Sequence, residues 1–153
     1  MSVNLNPIYP ITPVTTFGLV SAAMASSKQY DGTDATANAM AKVMTAGANG
    51  NRVDFLKVKI GSTAGGTPSG STTATMLRVW INNGSVQTTS TNNTLISELA
   101  IPVTAVSATV ATPEYVLPIN IWLPATYTIW VGLTVAIGAT AAAVAVTAVG
   151  GDA

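Results

Sequence analysis

The chain has 153 residues, of which 48% are hydrophobic and 8% charged, against roughly 25% charged in an ordinary soluble domain. Six Lys plus Arg balance six Asp plus Glu, so the cationic excess that nucleic-acid binding draws on is missing and neither DNA nor RNA is an expected partner. There is no His and no Cys, which excludes Ser-His-Asp and Cys-His catalysis, disulfides and imidazole or thiolate metal sites. No enzyme activity and no cofactor are expected.

One domain is the default at this length, and it can bury roughly 68 to 70% of its unfolded-chain surface without staples. Residues 1–6 carry neither a basic n-region nor an apolar h-region, so no secretory signal is read there. Through residues 4–14 prolines recur every third position, at Pro7, Pro10 and Pro13. Such spacing suits neither a regular helix nor a hydrogen-bonded ladder. Residues 1–20 are therefore expected to form an extended arm and residues 21–153 a single sandwich domain. In the arm Ile8, Tyr9, Ile11 and Val14 are the side chains available to a partner surface.

Asp31, Thr33 and Asp34 offer oxygens of the kind that hold Ca²⁺, but an Asp-Gly turn with an Asx bond accounts for them more simply. Residues 34–46 alternate alanines as a strand would, although Asp34 as a cap and Gly47 beyond would also frame a short helix; a strand is favoured. Residues 52–60 form a β-branched run. Residues 62–75, rich in Gly, Ser and Thr, read as a loop within the domain. Gly65-Gly66 lacks a strand-to-helix context and a following Lys, so it is no phosphate loop.

Residues 76–81 set Leu77, Val79 and Ile81 against Met76, Arg78 and Trp80. Asn82-Asn83-Gly84 follows, a strong hairpin signal, and predicts a return strand over residues 85–90. A polar turn at residues 91–93 leads into another strand over 95–101. In residues 115–124, Tyr115, Leu117, Ile119, Ile121 and Leu123 oppose Pro118, Asn120, Trp122 and Pro124. Prolines in that run predict an edge strand or a bulge. A turn at residues 124–126 predicts a hairpin into residues 126–136, where Tyr127, Ile129, Val131, Leu133 and Val135 share one face. Residues 141–149 close the chain. Residues 129–149 are long enough to span a bilayer, yet recurring Thr, Gly132 and Gly138, and the lack of Lys or Arg after Arg78, argue for strands and against a membrane. Strands separated by turns at short intervals predict an all-β antiparallel sandwich, of jelly-roll type.

Glu98 and Glu114, the two glutamates, are conceivable as a glycosidase pair, but spacing gives them no shared geometry. Trp80, Trp122 and Trp130 lie opposite the aliphatic stripe of their strands, where they can form an aromatic platform for sugar or another subunit, or fill the second sheet or a subunit contact; filling the second sheet or a subunit contact is favoured.

The stretches Met44-Thr45-Ala46-Gly47-Ala48-Asn49-Gly50, Arg78-Val79-Trp80-Ile81-Asn82-Asn83-Gly84, Thr91-Asn92-Asn93-Thr94-Leu95-Ile96-Ser97-Glu98, Pro113-Glu114-Tyr115, Leu123-Pro124-Ala125-Thr126-Tyr127-Thr128-Ile129-Trp130-Val131 and Val146-Thr147-Ala148-Val149-Gly150-Gly151-Asp152 resemble, in order, small β-sandwich structural proteins of tailed bacteriophages. The resemblance runs from about residue 31 to the C-terminus and rests on turn and strand patterns. It implies a capsid decoration or cement protein, made in the host cytoplasm and bound as a homo-oligomer, often a trimer, to the outer surface of the virion shell, with the major capsid protein as partner. The alternative is a carbohydrate- or receptor-binding module of a tail fibre or other surface appendage.

Overall fold

Apolar alternation punctuated by Asn, Gly and Pro yields ten strands in the computed structural model, which describes residues 12–63 and 66–152. They are β1 (Thr12–Val20), β2 (Met40–Thr45), β3 (Asn51–Ser62), β4 (Gly70–Ser71), β5 (Thr75–Asn82), β6 (Asn93–Ile101), β7 (Ala105–Val106), β8 (Glu114–Leu123), β9 (Thr128–Leu133) and β10 (Ala142–Asp152). Two four-stranded antiparallel sheets result, sheet I in the order β1-β10-β3-β8 and sheet II in the order β2-β9-β5-β6. Without the two-residue pair β4-β7, the long strands are divided between the sheets so that first, eighth, third and sixth face second, seventh, fourth and fifth. That is the order of a jelly roll, as the sequence predicts.

Leu56, Val58, Val144 and Val146 from sheet I meet Leu77, Val79, Ile129, Val131 and Leu133 from sheet II in one buried cluster. Burying side chains of this size stabilises by about 1.5–3 kcal/mol each, before chain entropy is counted. Between Val149 and Gly150 the β10-β3 register slips, and a Cβ on Gly150 would lie 1.9 Å from the Arg52 carbonyl oxygen. Gly150 is therefore fixed by the close backbone approach at this bulge.

Several expectations are corrected. Residues 12–20, assigned to the arm, are the edge strand β1, paired along its length with β10, and Val14 packs against the core. Pro13 is tolerated because an edge strand needs only one side of its backbone paired. Ile8, Tyr9 and Ile11 lie outside the described residues. Residues 85–90 form no strand: Asn82 and Asn83 accept from the Gly84 and Ser85 N–H groups at 2.9 and 3.1 Å, and the chain loops until Asn93 pairs with Asn82. That loop offers no apolar alternation to bury, whereas β6 does. Residues 124–126 reverse the chain, but β8 and β9 belong to different sheets, so the turn is a corner between layers. A polar turn signal fixes the reversal and leaves open which sheet receives the next strand. Only Met40–Thr45 of the favoured 34–46 strand is extended. Residues 129–149 are divided between β9, in sheet II, and β10, in sheet I, and no helix among the described residues is long and apolar enough to cross a membrane. β8 is an edge strand and also bulged.

Candidate functional site

The outer face of sheet II is covered by the protein's own connection between β1 and β2. Trp80 is 0% exposed there, packed with Met24 and Ala39, and its indole Nε1 donates to the Tyr30 carbonyl at 3.2 Å. Gly32, at φ 65°, lies flat on the Trp80 ring, where a Cβ would come within 2.9 Å of ring carbons. Arg78, also buried, donates to Glu98 at 2.6 Å and to the Gln29 carbonyl at 2.7 Å, with its guanidinium 3.7 Å from the Tyr30 ring centre. Asn93 donates to the Asp31 and Gly32 carbonyls at 3.1 and 3.2 Å. The connection is thus clamped by an Arg, a Trp and an Asn that all point away from the core.

Asp31 and Asp34 serve this clamp. Asp31 accepts from the Thr33 N–H at 3.0 Å, the Asx turn read from sequence. Asp34 accepts from the Ala25 N–H at 2.5 Å and the Thr36 N–H at 2.7 Å. Burial alone would raise the Asp34 pKa; the Thr36 and Ala25 hydrogen bonds and the charge of Lys28 outweigh it and hold the carboxyl below its ordinary 3.8. No group of three or more His, Cys, Asp or Glu side chains placed to hold a metal occurs among the described residues.

Sheet I presents a different outer face. Its register puts Phe17, Thr147, Lys57 and Val116 in one cross-strand row, with Leu19, Ala145, Lys59 and Glu114 in the next. Phe17 is 71% exposed and Val116 57%, while Leu19 is open as well. Lys57 pairs with Glu114 at 2.8 Å, and Arg52 with Asp54 at 2.7 Å. Both pairs are at the surface and contribute little to stability. What remains is a broad, nearly neutral sheet face on which large apolar side chains stand uncovered.

At one end of this face β8 carries an extra residue opposite β3, and Asn120 there takes φ 50°, the left-handed region that Asn enters more readily than most residues. A bulge re-aims neighbouring side chains. Here it opens a cleft of about 420 Å³ lined by Arg52, Asn120, Ile121 and Trp122. Trp122 is 48% exposed. Trp130 bonds through Nε1 to the Thr128 hydroxyl at 2.9 Å and Trp80 to Tyr30, whereas the Trp122 indole N–H has no acceptor among the described residues.

The three tryptophans therefore do not form one platform. Trp80 and Trp130 pair across β5 and β9 on sheet II, and Trp122 stands on sheet I. Trp80 is buried within its own chain, because the covering connection joins it from fifty residues away. Glu98 and Glu114 sit on edge strands of different sheets, each engaged by its own cation. Sequence reading missed Phe17 and Leu19, which had been placed in the arm. Their two-residue alternation with Thr16, Gly18 and Val20 was the signal that could have found them.

Comparison with known proteins adds the following. No protein-family model matches the chain, and no curated protein does. Among solved structures, the chain is similar to one in the structure of infectious bursal disease virus Gx strain, at 11% identity and TM-score 0.34, covering 99% of this chain and 37% of that one. It is similar also to one in the structure of the Gt strain of that virus, at 11% identity and TM-score 0.29, covering 95% of this chain and 34% of that one. The chain thus spans little more than a third of the length of either, and likeness at this level assigns neither fold nor function.

Proposed function

We propose that this chain is a virion structural protein, a decoration or cement protein that lays the outer face of sheet I on a capsid shell, with no enzymatic activity. The observation that carries the reading is the asymmetry of the two sheets: sheet II is covered by the chain's own connection, while sheet I leaves Phe17, Leu19, Val116 and Trp122 open. A face with this many uncovered large apolar groups marks a protein contact. Low charge supports the same reading, since few long flexible side chains need ordering at each contact. The sequence resemblance to small tailed-phage structural proteins names the shell, with the major capsid protein as the partner and the outer surface of the particle as the location. A symmetric homo-oligomer, a trimer, would repeat each weak contact and add them through multivalency.

The test uses purified protein and assembled phage heads lacking it. Wild-type protein should cosediment with the heads, and the Phe17→Asp/Val116→Asp double variant should lose retention while keeping its circular dichroism. Full retention of a folded double variant would sink the reading.

One observation favours a second reading. Trp122 offers an open ring, and an N–H with no acceptor among the described residues, beside Asn120 and Arg52, a combination suited to sugar hydroxyls. A carbohydrate- or receptor-binding appendage module would show saturable quenching of tryptophan fluorescence by host surface oligosaccharide, abolished in Trp122→Ala.

A further inference from the structure

We infer that β6 pairs edge to edge, antiparallel, with β6 of a second copy of this chain about a two-fold axis at Leu99. The inference concerns self-association and does not rest on the shell reading.

The sandwich has four sheet edges, β1 and β8 in sheet I and β2 and β6 in sheet II. An open edge invites another strand, and folded proteins blunt it with Pro, Lys, bulges or cover. β1 and β2 cover one another: the Thr16 hydroxyl donates to the Val43 carbonyl at 2.6 Å, and a Cβ on Gly18 would lie 2.9 Å from that of Ala41. β8 carries Pro118 in its middle and a bulge immediately after it. β6 is bulged only at Ile96, which leaves residues 97–101 regular. That stretch contains neither Pro nor Lys, and its one charge, Glu98, is engaged by Arg78. Beyond the β5 ladder, no hydrogen bond reaches the backbone of residues 97–101 among the described residues.

The same edge is short of apolar cover. Leu99 pairs with Leu77 on the core face, yet both it and Ile96 are only partly buried, and Ala100 on the other face is exposed. No strand stands outside β6 to cover them.

The sequence of β6 selects the occupant. Residues directly opposite in a ladder share a face, so a two-fold axis between two identical strands must pass through a residue. An axis at Ser97 runs the pairing into the bulge, and one at Glu98 sets two like charges opposite each other. An axis at Ala100 reaches Pro102 after one pair on either side. At Leu99 the whole regular stretch pairs: Ser97 opposite Ile101, Glu98 opposite Ala100, and Leu99 opposite its own copy. Each Leu99 then covers the other, and each Glu98 meets a methyl group. A foreign strand would not require this self-matching.

The experiment uses the full chain, purified alone. It has no Cys, so a single introduced cysteine reports one contact. Directly opposed Cα atoms of an antiparallel pair lie about 4.5–5.5 Å apart, within the span that a disulfide bridges. Leu99→Cys, oxidised with diamide at tens of micromolar, should therefore be trapped as a covalent dimer. Thr94→Cys, on the same strand but away from the axis, should stay monomeric. Ala100→Glu changes an exposed residue, leaves the core alone and creates two like-charge pairs in each dimer, so it should weaken association roughly tenfold by sedimentation equilibrium. Ala100→Lys faces Glu98 instead and should associate at least as well as wild type. Equal trapping of the two cysteine variants, or equal weakening by Glu and Lys at position 100, would overturn the inference. A monomeric wild type with no trapping of Leu99→Cys would overturn it too, and would leave the edge to a strand of another protein. Ala100→Glu that loses association yet still cosediments with heads would separate this contact from the shell reading, so that failure of either is recognised without the other.

Discussion

Arg78 shows how little of a residue's task is visible from its neighbours in sequence. Its alternation with Leu77 and Val79 marks it correctly as facing away from the core, and outward-facing Arg is normally solvated. Here it is buried because Gln29 and Tyr30, roughly fifty positions earlier, close over it. Replacing it by Ala should cost about 2 kcal/mol, less than for a fully buried pair because Glu98 is partly exposed, as read from urea midpoints. Asp34 makes the same connection sensitive to acid. Its carboxyl is held below 3.8 in the folded state, so its contribution is complete above that value and disappears as pH falls through the lower folded pKa. Asp34→Asn should flatten the stability profile in that acid range, and a variant whose profile matches wild type would remove Asp34 from the account. At this scale, the Asx turn at Asp31 was legible in the sequence, since its partner is two residues away. The burial of Trp80 was not, since its cover is distant.

Elements fared according to how much of their pattern is local. β5, β8 and β9 follow from alternation, β3 from its β-branched run and β6 from the polar turn before it, and Pro118 and Pro124 announced an edge strand or a bulge where β8 is both. β1 was obscured because Pro13 lies within it, and proline was read as ending any ladder when it only excludes a central one. This distinction gives an experiment. Deleting residues 1–11 should leave the melting temperature unchanged within a degree or two, whereas deleting residues 1–14 removes Val14 and the first pairs of β1 and should lower it clearly. Equal melting of the two truncations would show that the start of β1 contributes nothing. Gly150→Ala belongs to the same scale: a methyl group pressed on the Arg52 carbonyl should force β10 away from the β3 bulge at Asp54 and cost about 1–3 kcal/mol, measured by thermal or urea unfolding.

For the whole molecule, the fold class was legible because turn signals and strand periods repeat along the chain, and the jelly-roll order follows once every connection between long strands except the β5-β6 hairpin crosses between layers. The proposed contact face was not legible, since it is assembled from four strands whose order in the sheet is unrelated to their order in sequence. If that face also mediates self-association, the Phe17→Asp/Val116→Asp protein should show a lower molar mass than wild type by light scattering at micromolar concentration. A wild-type monomer under those conditions would restrict oligomerisation to the particle.

The pairing of β1 with β10 bears on how the protein comes into being. Thr12 lies opposite Asp152, and the neighbouring pairs are nearly as far apart in sequence. A ribosome therefore releases β1 long before its partner exists, and Phe17, Leu19 and Val20 wait unpaired while the rest of the chain is made. Loop-closure entropy on this scale places folding in the millisecond-to-second range typical of sandwiches. For that interval the waiting edge is open to strands of other nascent chains. Synthesis on crowded polysomes would thus give more aggregate than refolding the same chain at high dilution, a kinetic burden set by topology.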